Sequence, residues 1–353
     1  MEINKRPFSN LNLYVAITLN VIVQSCSCQE NKGVSQNTIS QTEIISRDLN
    51  LKNNQISQVV RTVFQDSKGI IWFGTENGAF RLDGKSLIHI DGIRSESGKG
   101  VTIKDIAEDK DGKVWFGHTD GISSIDGEKA TNYYESDGLI SDDVWCIAAD
   151  SNGNIWIGTI DGTCIFNGQE FNNFELPEGK IDSTLGISST KMVHSIMEDS
   201  KGTLWFSSNA GLFSYSNNML IDVSDKVGIR TNFVNEVFEG KNGELWVSTK
   251  KGLYNLRENR INNITESKIE VGKGIGSIAE DKEGNIWFVS NQHYLYSYNR
   301  KEIIEYQKSE ENKGPVIFQI YRDQDDRLWF VGYGGAYRLE NGKFLNITKN
   351  GPW

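Results

Sequence analysis

At 353 residues the chain has room for one large domain or two ordinary ones, and 10% aromatics with 35 glycines against 4 prolines supply a large core and frequent turns. A formal net charge of −10 argues against a nucleic-acid partner, because a surface that binds a phosphate backbone must be basic, and it weakly disfavours adsorption to anionic lipid.

The N-terminus reads differently from the rest. Lys5 and Arg6 precede an apolar run, Leu11 to Val23, that ends in Val23-Gln24-Ser25-Cys26. A charged start, an apolar stretch and a small residue before the cut make residues 1–25 a signal peptide; the run is too short and too Asn-interrupted for a stable membrane helix. Val and Ser ahead of Cys26 resemble a bacterial lipobox, with Cys26 as the lipidated new N-terminus. Cys28 is the rival, and an ordinary cleavage site is the plainer alternative. The Gln/Asn/Ser-rich residues 26–41 suit a flexible tether. This predicts a cell-envelope protein, lipid-anchored in the outer membrane and touching membrane through that lipid alone, with periplasmic or surface orientation open. Of the remaining cysteines, Cys146 and Cys164 have no CxxC or Cys/His spacing. They read as buried free thiols, with a disulfide as the alternative, and neither metal nor cofactor is indicated.

From residue 42 to 353 one pattern repeats. Trp72, Trp115, Trp156, Trp205, Trp246, Trp287 and Trp329 are spaced 43, 41, 49, 41, 41 and 42 residues apart. Six positions before each Trp stands an Asp (66, 109, 150, 199, 281, 323), with Gly240 the exception; three before stands a Gly, with Asp326 the exception. Six after stands another Gly, replaced by His293 in repeat six. Positions nine and twelve before each Trp are aliphatic in all seven repeats, from Val63 and Val60 to Ile320 and Ile317. Each unit reads as four strands, A to D: the aliphatic strand A, an Asp-x-x-Gly turn, the Trp strand B, a Gly-containing loop, strand C, a second turn such as Asn167-Gly168, and strand D. Sheets apolar on both faces must pack face to face around an axis, so the fold class is all-β, a seven-bladed β-propeller of four-stranded antiparallel blades. The Trp is expected as a wedge between blades; a sugar-stacking platform is the alternative.

Units such as Ile106-Ala-Glu-Asp-Lys-Asp-Gly-Lys-Val-Trp-Phe-Gly-His-Thr-Asp-Gly resemble the two-component regulator propeller repeat, over about residues 43–348. That resemblance implies the extracytoplasmic sensor regions of bacterial, often Bacteroidetes, hybrid histidine kinases, which commonly recognise polysaccharide fragments. Those sensors usually carry two propellers, an immunoglobulin-like domain, a membrane helix and a kinase. This chain reads as one ring alone, so signalling is not carried over. Ring closure stays open: Phe344 to Ile347 complete the last blade, yet Glu43 to Ser46 also read as an outer strand.

The A–B and C–D turns are short and uniform, whereas the D–A and B–C loops vary, and variation on a fixed frame marks the rim where binding residues sit. The position eleven before each Trp is the divergent one: Arg61, Lys104, Trp145, His194, Asn235, Gly276 and Phe318. From these and the B–C loops, Arg61, Lys104, His118, Trp145, His194, His293 and Tyr333 are expected to surround the mouth of the central channel. They would bind a small molecule or glycan, or dock a partner protein, with the chain a monomer. Ordinary packing near the axis is the alternative for each. A lyase reading comes from resemblance to streptogramin-lyase propellers, which use rim histidines with a metal. His118, His194 and His293 lie on alternate repeats without a carboxylate at fixed spacing, so binding is expected ahead of catalysis and no catalytic residue is assigned.

Overall fold

The computed structural model describes residues 55–83, 86–184, 186–229, 233–257, 260–270, 274–306, 316–349 and 351. The signal segment, Cys26, Cys28, the tether and Glu43 to Ser46 lie outside the described residues. Twenty-eight strands, β1 to β28 in chain order, form seven four-stranded antiparallel sheets, each built from consecutive strands. Blade 1 is β1 (Val60–Gln65), β2 (Ile71–Thr75), β3 (Gly78–Asp83) and β4 (Ser86–His89). The innermost strands of blades 2 to 7 are β5 (Ile103–Glu108), β9 (Val144–Ala149), β13 (Val193–Glu198), β17 (Val234–Glu239), β21 (Ile275–Glu280) and β25 (Val316–Arg322). They contact one another in sequence around the axis, and β25 returns to β1. The fold is a seven-bladed β-propeller.

The repeated Asp is the reason each A–B turn holds. In blade 3, Asp150 Oδ1 accepts the backbone N–H groups of Asn152 and Asn154 at 3.0 and 2.8 Å, and its Oδ2 accepts the Trp156 indole N–H at 2.9 Å. The same indole bond recurs in blades 1, 2, 4, 6 and 7 at 2.7–2.9 Å. One carboxylate thus closes the turn and fixes the Trp rotamer. The glycine three before the Trp supplies the left-handed backbone, φ +92° at Gly153, and in blade 7 Asp326 adopts φ +63° in its place.

Each Trp projects into the next blade. Trp72 meets Phe116 edge-on at 5.7 Å, Trp156 meets Phe206 at 5.4 Å and Trp287 meets Phe330 at 5.8 Å. Trp329 of blade 7 meets Phe73 of blade 1 at 5.7 Å, so the wedge closes the ring. Edge-to-face aromatic contacts add to an already large buried area.

Closure needs no shared strand within the described residues, since blade 7 has its own fourth strand, β28 (Lys343–Asn346). Residues 55–59 instead clamp that blade. Ile56 N–H donates to Thr348 O at 2.8 Å, Gly334 N–H donates to Gln58 O at 2.8 Å, and Ile56 is buried against Ile347. Cys146 and Cys164 are both buried free thiols, and burial pushes each thiol above the usual range.

Candidate functional site: the mouth of the central channel

The inner strand of every blade breaks its pairing at one place. Register shifts between Val60 and Thr62, Ile103 and Asp105, Val193 and Ser195, Val234 and Glu236, and Ile317 and Gln319. In blade 3 Trp145 is skipped between Val144 and Cys146, and in blade 6 Gly276 and Ser277 are skipped between Ile275 and Ile278. The extra residue in each strand is the divergent one, eleven before the Trp. A bulge opposes two residues to one, bends the strand and re-aims side chains. Counting the bulged pair as one step, the two aliphatic positions fall on one face, and in all seven blades both share one core cluster.

The bulged residues face a common cavity of about 640 Å³, lined by Arg61, Lys104, Trp145, His194, Asn235, Gly276 and Phe318 together with Gln292 from a B–C loop. Below them lie the second residues of the bulges, which sequence reasoning missed: Thr62, Asp105, Ser195, Glu236, Ser277 and Gln319. Four of these stitch their own blade to the next, at the seams 2–3, 5–6, 6–7 and 7–1. Asp105 accepts Ile147 N–H at 2.9 Å, Glu236 accepts Ile278 N–H at 3.0 Å, Ser277 accepts Ile320 N–H at 3.2 Å and Gln319 accepts Val63 N–H at 2.7 Å. The last bond closes the ring with the device used elsewhere. Burial pushes the Asp105 carboxyl up to about 7 and the Glu236 carboxyl up to about 8, against the pull of their hydrogen bonds. The signal for these residues was the odd spacing of three between two aliphatic columns, which strict two-residue alternation cannot place on one face.

The mouth is chemically lopsided. On blades 7, 1, 2 and 3 two adjacent cations are flanked by rings: Arg61 lies 4.8 Å from the Phe318 centroid and Lys104 Nζ 4.0 Å from that of Trp145. Lys104 also bonds Asp143, which accepts the Trp145 indole N–H at 3.2 Å. On blades 4 to 6 the wall is His194, Asn235 and Gly276. His194 Nε2 bonds Asn209 Oδ1 at 2.7 Å, and the ring packs on Phe233 at 4.4 Å. Burial lowers the His194 pKa to about 4, with Asn209 opposing and the Lys250 charge reinforcing, so the ring is neutral at pH 7.

Four of the seven expected residues, Arg61, Lys104, Trp145 and His194, line the cavity; three do not. His118 is 0% exposed inside blade 2. Its Nδ1 accepts Asp120 N–H at 3.2 Å, its Nε2 donates to Ser123 Oγ at 2.9 Å, and Ser123 passes the chain to Asn132 at 2.6 Å. Burial depresses its pKa to about 3, and it serves as a neutral structural bridge between strands. His293 is exposed on a B–C loop one residue longer than the others, where Asn291 and Gln292 take positive φ. That places Gln292, not His293, in the wall. Tyr333 stands 52% exposed outside it, edge-on to Phe318 at 4.9 Å. The three rim histidines are therefore not brought together, as a shared metal would require.

The profile described as two component regulator propeller matches residues 54–77, 97–120, 138–161 and 186–210, one repeat in each of blades 1 to 4. No curated protein matches the chain. Among solved structures it is similar to the extracellular domain of a one-component system of B. thetaiotaomicron, at 18% identity and TM-score 0.65, covering 81% of this chain and 39% of that one. A second, from a hybrid two-component system of B. thetaiotaomicron, gives 19% identity and TM-score 0.63 over 82% and 41%. Virginiamycin B lyase from Staphylococcus aureus gives 16% and 0.63 over 79% and 93%. The chain spans about two fifths of the length of the two extracellular domains, and at these identities the likeness is one of fold. Four of the seven blades, 1 to 4, thus carry the two component regulator propeller repeat.

Proposed function

We propose that this propeller binds a small polar ligand, such as a glycan fragment, in the mouth framed by the D–A and B–C loops, as an extracytoplasmic sensing or uptake accessory. One observation carries the reading: the bulge is repeated in all seven blades while the residue it presents repeats in none. A packing demand common to seven blades would select one residue type; a shared asymmetric ligand would not. Trp145 and Phe318 offer stacking faces, Asn235 and Gln292 offer amides, and His194 offers Nδ1, which has no partner among the described residues. The location rests on the signal-like N-terminus and on the resemblance to extracellular domains. The lipid anchor rests on the Val23-Gln24-Ser25-Cys26 box, and Cys26→Ala should abolish labelling by a fatty-acid analogue. A screen of glycans and metabolites by thermal shift tests the site. The reading expects a hit that Trp145→Ala and His194→Ala both weaken. A hit weakened by C–D turn substitutions instead would move the site to the other rim. Co-purification of a partner protein without any small-molecule hit would replace it by a docking scaffold.

A further inference from the structure

Arg61 is the group of the mouth whose bonding capacity is least used. Phe318 covers one face of its guanidinium, but no carboxylate or carbonyl among the described residues accepts its N–H groups. A guanidinium holds five donors in a planar fork that matches a carboxylate or sulfate edge. Its neighbour on the next blade, Lys104, has a side chain only 8% exposed and is held below the usual lysine range, first by burial and further by the Arg61 charge, against Asp143. Asp143 is already divided between Lys104 and the Trp145 indole. The deeper carboxylates do not compensate. Asp105 spends its oxygens on Ile106 and Ile147 N–H, Glu236 bonds Ile278 N–H, and neither enters an ion pair among the described residues. A chain of net charge −10 thus sets two adjacent cations at the edge of one cavity and supplies a single carboxylate between them. The opposite arc, His194, Asn235 and Gly276, carries no charge.

We propose that the ligand of this mouth bears an oxyanion, a carboxylate or a sulfate ester, received bidentately by Arg61 with Lys104 alongside, while its uncharged part faces blades 4 to 6. The inference rests on the binding reading above and deepens it. Bidentate charge-assisted bonds to a fork are roughly twice as strong as neutral ones and fix orientation.

Calorimetric titration of the full chain with D-glucuronate, its neutral methyl ester and inorganic sulfate tests it. The expected result is binding of at least one anion, with the ester at least about tenfold weaker than the acid, and a loss of about tenfold in Arg61→Gln, since one charge-assisted contact is on that scale. Arg61→Lys keeps the charge without the fork and should recover part of the loss, and binding to the parent should weaken as NaCl rises. The ranking of glucuronate against sulfate tells the two oxyanion sources apart. Equal binding of acid and ester, insensitivity to salt, or no binding of either anion overturns the inference. If Trp145→Ala weakens acid and ester alike while Arg61→Gln changes neither, the mouth remains the site and only the anion is lost. If binding survives both substitutions, both readings fall.

Discussion

The two ends of each inner strand and the turn beyond it obey opposite rules. At one end, Asp150 and its counterparts repeat the same three bonds, to two turn N–H groups and to the indole, in five blades, and Asp281 of blade 6 keeps the Asn285 N–H and indole bonds. At the other, the bulged residue runs from Arg61 to Gly276 without a repeat. Backbone conformation is conserved among the blades at both ends; side-chain chemistry is conserved only at the first. Repetition marks what every seam needs, and divergence within a fixed bulge marks what the seams do not need in common, although Lys104 and Asn235 each bond across one of them.

Blade 5 sharpens the contrast, because it alone among the blades lacks the repeated Asp. Gly240 replaces the Asp, and the buried Trp246 indole N–H has no partner among the described residues. The Arg300 guanidinium lies 5.0 Å from that ring and is also paired with Glu244 and Glu280. A cation over the indole face attracts the ring without accepting its N–H, and Trp115 and Trp329 carry such cations in addition to their carboxylate.

The largest effect should come from the wedge. Trp156→Ala removes the ring that packs on Phe206, Phe174 and Tyr215, and its cost should be about 3–5 kcal/mol by chemical denaturation. A shift under about 1 kcal/mol would mean that the Trp column does not hold the blades together. Next comes Asp150→Ala, which strands the Trp156 indole and opens the turn, for about 2–3 kcal/mol. If it costs nothing, the Asp column does not hold the turn and the Trp in place.

A smaller effect concerns the stitches. The Glu236 carboxyl is raised in the folded chain from 4.5 to about 8, so its contribution to stability is full below about pH 4.5 and is lost as pH rises through 8. Glu236→Gln keeps an acceptor for Ile278 N–H, as Gln319 does for Val63 in blade 7. Its melting temperature should therefore fall less than the parent's between pH 5 and 8. Parallel pH profiles for the two proteins would show that Glu236 does not titrate as described.

The fold was legible because spacing alone carries it: seven tryptophans with Asp, Gly and aliphatic positions at fixed offsets define a repeat that must close on itself. The divergent column was legible for the same reason, as the irregular position between regular ones. The bulge that aims it was not identified, although two aliphatic columns three apart implied an extra residue. His118, His293 and Tyr333 were misplaced because loop length and side-chain bonding decide where they point. His118 is drawn inward by Ser123 and Asn132, and the extra residue in the blade 6 loop turns Gln292 into the wall instead. The seam bonds of Asp105 and Glu236 reach across some 42 residues to the next blade and have no local signature.

The central claim is that the bulged column is held for contact with a ligand and not for packing. Combining Trp145→Ala, His194→Ala and Asn235→Ala in one chain and following its thermal unfolding with and without the strongest hit of the glycan and metabolite screen tests this directly. The account predicts an unliganded melting temperature close to the parent's and loss of the ligand-induced rise. A fall on the scale of Trp156→Ala, or a ligand-induced rise that persists, would contradict it.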